Sequence, residues 1–362
     1  MTMRKLSAAM VVLAREYRGL TQEELGRKLG VTQAVIAKIE GGIKTEVPEI
    51  LFDDLCDVLD FPAEFFQQEE DLIGFGSSAY YYRKKQDLTA SDRKRIHGMV
   101  NLIRIQLKRL LSFVDISGKR KLPKLDIEEY GGDPAKVANA VRVFWNLPDG
   151  PVKNVTSLIE SAGVIVIPCN FPTRSMDATS LRLSELPPVI FINSQLPGDR
   201  WRFTLTHELA HLIMHEVPRE EMEDEADAFA AEFLMPESEL RPQFSRLGDI
   251  RLQDLANLKP FWKVSIAALL KRACDMGFIA DAKKRYMWSR MSSWGWRMQE
   301  PDPMPPEQTK TLKKIVDYFL GELKYSIEEL AKFLNVTIRD LFELFDAVFS
   351  PDVKRSQIRA VS

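Results

Sequence analysis

Over residues 4–66, apolar positions recur at helical spacing in short runs with tight connections, which predicts about five short helices. Residues 67–82, with Gly74-Phe-Gly-Ser-Ser and a run of tyrosines, read as a linker. The period then returns over about 90–114, where Ile96, Val100, Ile103, Leu107 and Leu110/Leu111 share one face of a longer helix. Lys119-Arg-Lys-Leu-Pro reads as a second linker. From about residue 125 the pattern is mixed. Pro134–Trp145 and Val155–Ala162 carry helical spacing, whereas Gly163-Val-Ile-Val-Ile-Pro and Pro188-Val-Ile-Phe-Ile-Asn are short β-branched runs bounded by turn residues, hence strands. Arg200 opens a helix whose stripe is Leu209, Leu212 and Ile213, with Pro218 closing it. Further helices run from about 221–234 to about 285. Gln299-Glu-Pro-Asp-Pro-Met-Pro-Pro marks a boundary before a small helical tail. The fold class expected is multidomain and mainly α, divided as 1–68, 69–124, 125–295 and 296–362.

Composition adds little until it is localised. The 362 residues are 45% hydrophobic and 28% charged with net charge −2, as expected of an ordinary globular protein. Residues 1–45 nevertheless carry eight Lys/Arg against four acids, and 83–121 carry twelve against three. The latter run reads as a solvated face rather than a phosphate-binding one. Three scattered cysteines without a C-x-x-C suggest a reducing cytosol and no disulfide framework. No apolar run is long enough for a membrane span. The apolar start runs directly into Arg15-Glu16-Tyr17-Arg18 and reads as an amphipathic helix of a cytoplasmic protein, not a leader.

Two constellations carry chemistry. In the first, Thr21 and Glu24 form a capping box, Leu25 and Leu29 face inward, Gly30 ends the helix, and Thr32 caps the next one. Val35, Ile36 and Ile39 then pack inward, leaving Gln33, Ala34, Ala37 and Lys38 outward, with Gln22 placed to fix the backbone. Small and amide side chains at a helix N-terminus suit base edges, and a cation suits phosphate. Leu20-Thr-Gln-Glu-Glu-Leu, Leu29-Gly-Val-Thr-Gln and Ile36-Ala-Lys-Ile-Glu-Gly-Gly resemble the phage-repressor (Xre or Cro/cI-like) helix-turn-helix domain, a five-helix unit. That resemblance implies double-stranded operator DNA as partner, read as a homodimer. Ser326-Ile-Glu-Glu-Leu-Ala-Lys-Phe-Leu-Asn-Val-Thr resembles the segment from Thr21 but lacks its polar contact residues, and reads as helix-turn-helix-like packing.

The second constellation is H-E-x-x-H. His207 and His211, at i and i+4, lie on one helical face where both can grip one Zn²⁺, and Glu208 can take a proton from a zinc-bound water. His215 lies a further turn away, about 6 Å along the axis, too far to share the ion; it reads as a helix cap or a solvent-facing residue. A third ligand is sought on the acidic stretch, where Glu223 falls near the edge of the buried face and is preferred to Glu225. Asp227, one turn on, can orient a ligand histidine. Arg202-Phe-Thr-Leu-Thr-His-Glu-Leu-Ala-His-Leu, the run from Glu223 to Met235-Pro236, and Val189-Ile-Phe-Ile-Asn resemble the ImmA/IrrE family of zinc metallopeptidases over about residues 130–290. The resemblance implies an α+β, gluzincin-like domain with a small sheet. It also implies regulatory proteolysis of a partner protein, a repressor or a toxin–antitoxin component. The Pro188–Asn193 strand could offer an edge to an extended peptide. Arg200 and Arg202 read as exposed helix charges. Tyr286–Arg297, rich in aromatics, reads as packing rather than a base-stacking platform. An alternative is a repressor or antitoxin-type module whose peptidase-like domain binds a partner without cutting it.

Overall fold

The computed structural model describes residues 2–74, 88–116, 118–217 and 219–350. The tyrosines of the first linker and the helix-closing Pro218 lie outside the described residues. Five helices build the N-terminal unit: α1 (Ala8–Tyr17), α2 (Gln22–Lys28), α3 (Gln33–Glu40), α4 (Glu49–Leu59) and α5 (Ala63–Phe66). A two-stranded antiparallel ribbon, β1 (Met3–Lys5) with β2 (Glu46–Pro48), ties its ends. The capping box forms: Thr21 Oγ1 accepts from the Glu24 backbone N–H at 3.1 Å, and the Glu24 carboxylate accepts from the Thr21 N–H at 2.8 Å. Gly26 lets the turn close, since a Cβ there would sit 2.9 Å from the Val31 carbonyl oxygen.

The basic segment departs from its sequence reading at a few positions: Lys94, Arg95, Lys119, Arg120 and Lys121 are exposed as expected, but Arg104 is buried and Lys108 and Arg109 are half-buried. Its helix, α6 (Ala90–Leu111), buries Asn101, Arg104 and Gln106 along with its apolar stripe. Arg104 donates to the Asp71 carbonyl at 2.5 Å and to Glu185 at 2.9 Å, while Arg109 donates to Gln68 at 2.6 Å. A solvated face would leave such cations in water; here they join segments. The helix lies against α1 so closely that a Cβ on Gly98 would meet the Tyr17 nitrogen at 2.7 Å.

Helices α7 (Pro134–Phe144) and α8 (Val155–Ser161) lead into a three-stranded sheet of β3 (Ile165–Cys169), β4 (Ala178–Leu183) and β5 (Leu186–Asn193). The order is β3-β5-β4, with β3 parallel and β4 antiparallel to β5. The Pro188–Asn193 strand is therefore central and has no free edge, because both its hydrogen-bonding sides are taken. Strand alternation divides the molecule. Ile165, Ile167, Val189 and Phe191 point into a core shared with α1–α6 and the C-terminal helices. Val164, Val166, Ile190 and Ile192 point into a second core. That second core is built with α7, α8 and α9 (Gly198–Met214), α10 (Met222–Leu234), α11 (Glu237–Leu247), α12 (Leu252–Trp262), α13 (Ile266–Asp275) and α14 (Asp281–Ser293).

The proline-rich boundary is a strap. Glu300 accepts from the Ile266 and Ala267 N–H groups at the start of α13, at 2.7 and 3.0 Å, and pairs with buried Lys259 at 2.8 Å. The Met304 carbonyl accepts from Gly198 N–H at 2.8 Å, and a Cβ on Gly198 would lie 2.7 Å from that oxygen. Arg202, expected to be exposed, is buried and pairs with Glu307 of the strap, while also donating to the Lys263 and Val152 carbonyls at 2.9 and 2.6 Å. Arg200 is exposed as expected and pairs with Asp177 at 2.6 Å.

Helices α15 (Thr311–Gly321), α16 (Ile327–Phe333) and α17 (Ile338–Leu344) are the last among the described residues. The internal similarity is geometric as well as textual. Ser326 and Glu329 repeat the capping box, and Asn335 at φ 53° repeats the left-handed turn of Gly30 at φ 65°. The second copy uses its last helix to dock on the first: Asp340 receives Arg18 through two bonds of 2.6 and 2.7 Å. No helix among the described residues is long and apolar enough to cross a membrane.

Candidate metal centre and nucleic-acid interface

Helices α9 and α10 lie side by side and bring three donors together. His207 Nε2 and His211 Nε2 are 3.1 Å apart. The Glu223 carboxylate lies 3.3 Å from the first and 3.4 Å from the second. One donor atom from each of the three residues falls within 4.8 Å of the others. Glu225 is directed elsewhere, its Oε2 2.9 Å from His215 Nε2.

The outer ring nitrogens are also engaged. Asp227 Oδ1 lies 2.9 Å from His207 Nδ1, and Asp227 Oδ2 accepts from Lys271 at 3.1 Å. His215 closes α9 as its C-terminal cap, but it does not face solvent. It is buried, and its Nδ1 lies 2.8 Å from His211 Nδ1. When the His207 ring is neutral, a carboxylate acceptor on Nδ1 selects the Nδ1–H tautomer and turns the Nε2 lone pair toward the cluster. Glu208, beside His207, is buried, and its Oε2 has no hydrogen-bond partner among the described residues. A buried carboxylate oxygen without a donor is costly, so an unpartnered one next to this cluster fits a site made to meet a ligand there.

The electrostatics have one direction. Burial disfavours the charged form of His207, but bonds to Asp227 and Glu223 outweigh it and raise its pKa to about 10. Burial pushes Glu223 up, yet both imidazoles hold it down at about 2; Asp227 is likewise held below the usual range against burial by His207. The His215 ring is pushed down to about 3, by burial first and then by His211, Arg219 and His207 beside it. Three carboxylates around two imidazoles make a point that attracts positive charge. Two imidazole nitrogens and one carboxylate are also the donor set of an open, three-residue zinc site.

Next to Asp227 is a cleft of about 480 Å³ whose walls include Arg200, Phe203, Lys271, Trp288 and Trp296. The aromatic stretch is thus split: Met287 and Met291 pack into the core, Trp288 and Trp296 face the cleft, and Tyr286 and Trp294 are exposed. Helical periodicity alone did not single out this cleft, because its walls come from α9, α10, α12, α13, α14 and the strap.

On the N-terminal unit, Thr32, Gln33, Ala34 and Lys38 are exposed on α3, Ala37 is half-buried, and Ile36 and Ile39 are buried. Gln33 donates to Gln22 Oε1 at 2.7 Å, and Gln22 donates to Glu40 at 2.8 Å. Glu40 is held by buried Arg15 through bonds of 2.5 and 2.9 Å. Neither Arg15 nor Glu40 stood out in the sequence, because a buried pair 25 positions apart leaves no local pattern. This network fixes two amide side chains at the N-terminal end of an exposed helix, where base edges would be read.

Residues 159–273 match a peptidase family model described as the IrrE N-terminal-like domain, a span that contains His207, His211, Glu223 and Asp227. Residues 13–65 match a helix-turn-helix domain. No curated protein matches the chain. Fold and matches agree: the chain joins a DNA-binding helix-turn-helix domain to an IrrE N-terminal-like domain, the ImmA/IrrE arrangement.

Proposed function

We propose that this chain is a DNA-binding regulator and zinc endopeptidase that cleaves a partner regulatory protein. The observation that carries the reading is the convergence of His207, His211 and Glu223 beside the unpartnered Glu208 oxygen. Zinc held there would polarise a scissile carbonyl and make a water nucleophilic near neutral pH. Glu208 takes up a proton at Oε2 and returns it to the leaving amine. Asp227 holds the His207 ring. Strand β4 has no second strand neighbour among the described residues and packs against α9, so an extended peptide can add to that edge. The cleft beside Asp227 would seat an apolar side chain of that peptide. Gln33, Ala34, Ala37 and Lys38, with Thr32 and Gln22, face an operator, read by a homodimer.

The test is zinc content, together with cleavage of co-expressed candidate repressors and toxins, for wild type and Glu208→Gln. The reading requires one zinc in both proteins and cleavage only by wild type. If both bind zinc and every candidate stays intact, the chain is a binding module, and repression should then survive Glu208→Gln but not Gln33→Ala with Lys38→Ala.

A further inference from the structure

We propose that His215 and Glu225 form a two-residue relay that fixes the tautomer and orientation of His211. Asp227 does the same for His207 with a single carboxylate. The inference rests on the zinc reading above and assigns positioning roles to two residues outside the donor set.

Proton bookkeeping carries the argument. His211 Nδ1 and His215 Nδ1 face each other at 2.8 Å, and only one of a pair of ring nitrogens at that distance can carry the hydrogen. At the other end of the chain, Glu225 Oε2 lies 2.9 Å from His215 Nε2 and also accepts from Arg219 at 2.9 Å. An ionised carboxylate only accepts, so His215 Nε2 bears a hydrogen. In the zinc reading a neutral His211 ring that ligates through Nε2 keeps its hydrogen on Nδ1, so His215 Nδ1 must accept it. The His211 lone pair then sits on Nε2, which faces His207 and Glu223. The opposite assignment does not fit a ligand histidine. With the shared hydrogen on His215 Nδ1, His211 would carry its own on Nε2 and aim it into the donor cluster, and a neutral His215 would then set an acceptor against Glu225.

Burial makes the relay necessary. The side chains of His215 and His211 are 0% and 4% exposed, so bulk water does not take over the bond if His215 is lost. Stacking at i, i+4 and i+8 on α9 explains the division of labour. The third histidine is one turn too far to share an ion, but it is at the right height to meet the outer nitrogen of the second. The relay ends at the acidic segment, where Arg219 also approaches Glu128 at 3.6 Å.

The experiment compares wild type, His215→Leu, His215→Gln and Asp227→Ala as full chains, with folding checked by circular dichroism. Zinc affinity is read by competition with a chromogenic chelator, and the His211 tautomer by long-range proton–nitrogen NMR. Losing an outer partner of a ligand histidine costs about 10–100-fold in metal affinity, and His215→Leu should show that loss with a mixed His211 tautomer. Glutamine can accept at Oε1 and donate at Nε2, so His215→Gln should restore most of the affinity and the Nδ1–H tautomer. Wild-type affinity and tautomer in His215→Leu would overturn the relay while leaving the zinc site intact. Equal losses in the Leu and Gln variants would also overturn it, by showing a packing role. A wild-type chain that binds no zinc would overturn both readings.

Discussion

Replacing Asp340 with alanine should undock the C-terminal helices from the helix-turn-helix unit. Asp340 is 0% exposed and Arg18 is 15% exposed, so their two bonds of 2.6 and 2.7 Å lie where water hardly competes. Removing one partner of a buried pair costs about 3–5 kcal/mol, because the other charge is stranded. Arg18 would not be wholly stranded. It still donates to the Leu59 and Asp60 carbonyls, each at 2.7 Å, and lies 4.6 Å from the centre of the Phe61 ring. The lower end of the range therefore applies, about 3 kcal/mol or roughly 150-fold in the docking equilibrium. Hydrogen exchange of the α15–α17 amides is the assay, and these should exchange on the order of 100-fold faster in the variant. The control is the Lys313–Asp317 pair, whose side chains are 55% and 53% exposed. Asp317→Ala should cost less than about 1 kcal/mol. Equal protection in the two variants would refute the claim that burial, rather than pairing as such, gives the contact its strength.

Gly198→Ala should destabilise the chain by about 1–3 kcal/mol, as overpacking does, because the new Cβ meets the backbone of the strap and not a flexible side-chain tip; a denaturation midpoint equal to wild type would contradict it. His97 has a raised pKa, chiefly through its bond to Glu16 on α1, opposed by burial. A raised folded value means stability that is full below the unfolded pKa of about 6.5 and lost as pH rises through the folded value. Wild type should therefore lose stability relative to His97→Gln between mildly acidic and mildly alkaline pH, and parallel curves would refute this. Lys38→Ala should weaken binding to all DNA sequences and lower the salt slope by about 1, whereas Gln33→Ala should mainly relax base preference; fluorescence anisotropy against salt on matched and scrambled duplexes separates them.

Local chemistry was legible because its partners are close in sequence. The capping box of Thr21 and Glu24, the left-handed turn at Gly30 and the i, i+4 histidines all follow from helix geometry and appear as expected. Glu223 and Asp227 were recognisable as one face of a second helix. What failed shares a different cause. Arg202 looked like a surface charge because its anion, Glu307, is 105 positions away. Arg104 of α6 looked solvated for the same reason, since it meets Glu185 across 81 positions. His215 was judged by its reach to an ion, a test it fails. Its neighbour's outer nitrogen was the relevant partner, and that needed no reach at all. The Pro188–Asn193 run showed a strand but could not show its place in the sheet, since β3-β5-β4 is not chain order.

The three-stranded sheet described above has a practical consequence for anyone dissecting this chain. Its two faces are lined by alternate residues of the same strands, so no cut can follow the seam. A fragment starting near residue 125 would keep the sheet and the C-terminal helices but remove α1–α6 from the core that holds Ile165, Ile167, Val189 and Phe191. Such a fragment would carry an apolar wall in water and tend to self-associate. The helix-turn-helix and IrrE N-terminal-like parts thus share one core, and swapping either onto a foreign partner would mean resurfacing one side of the sheet.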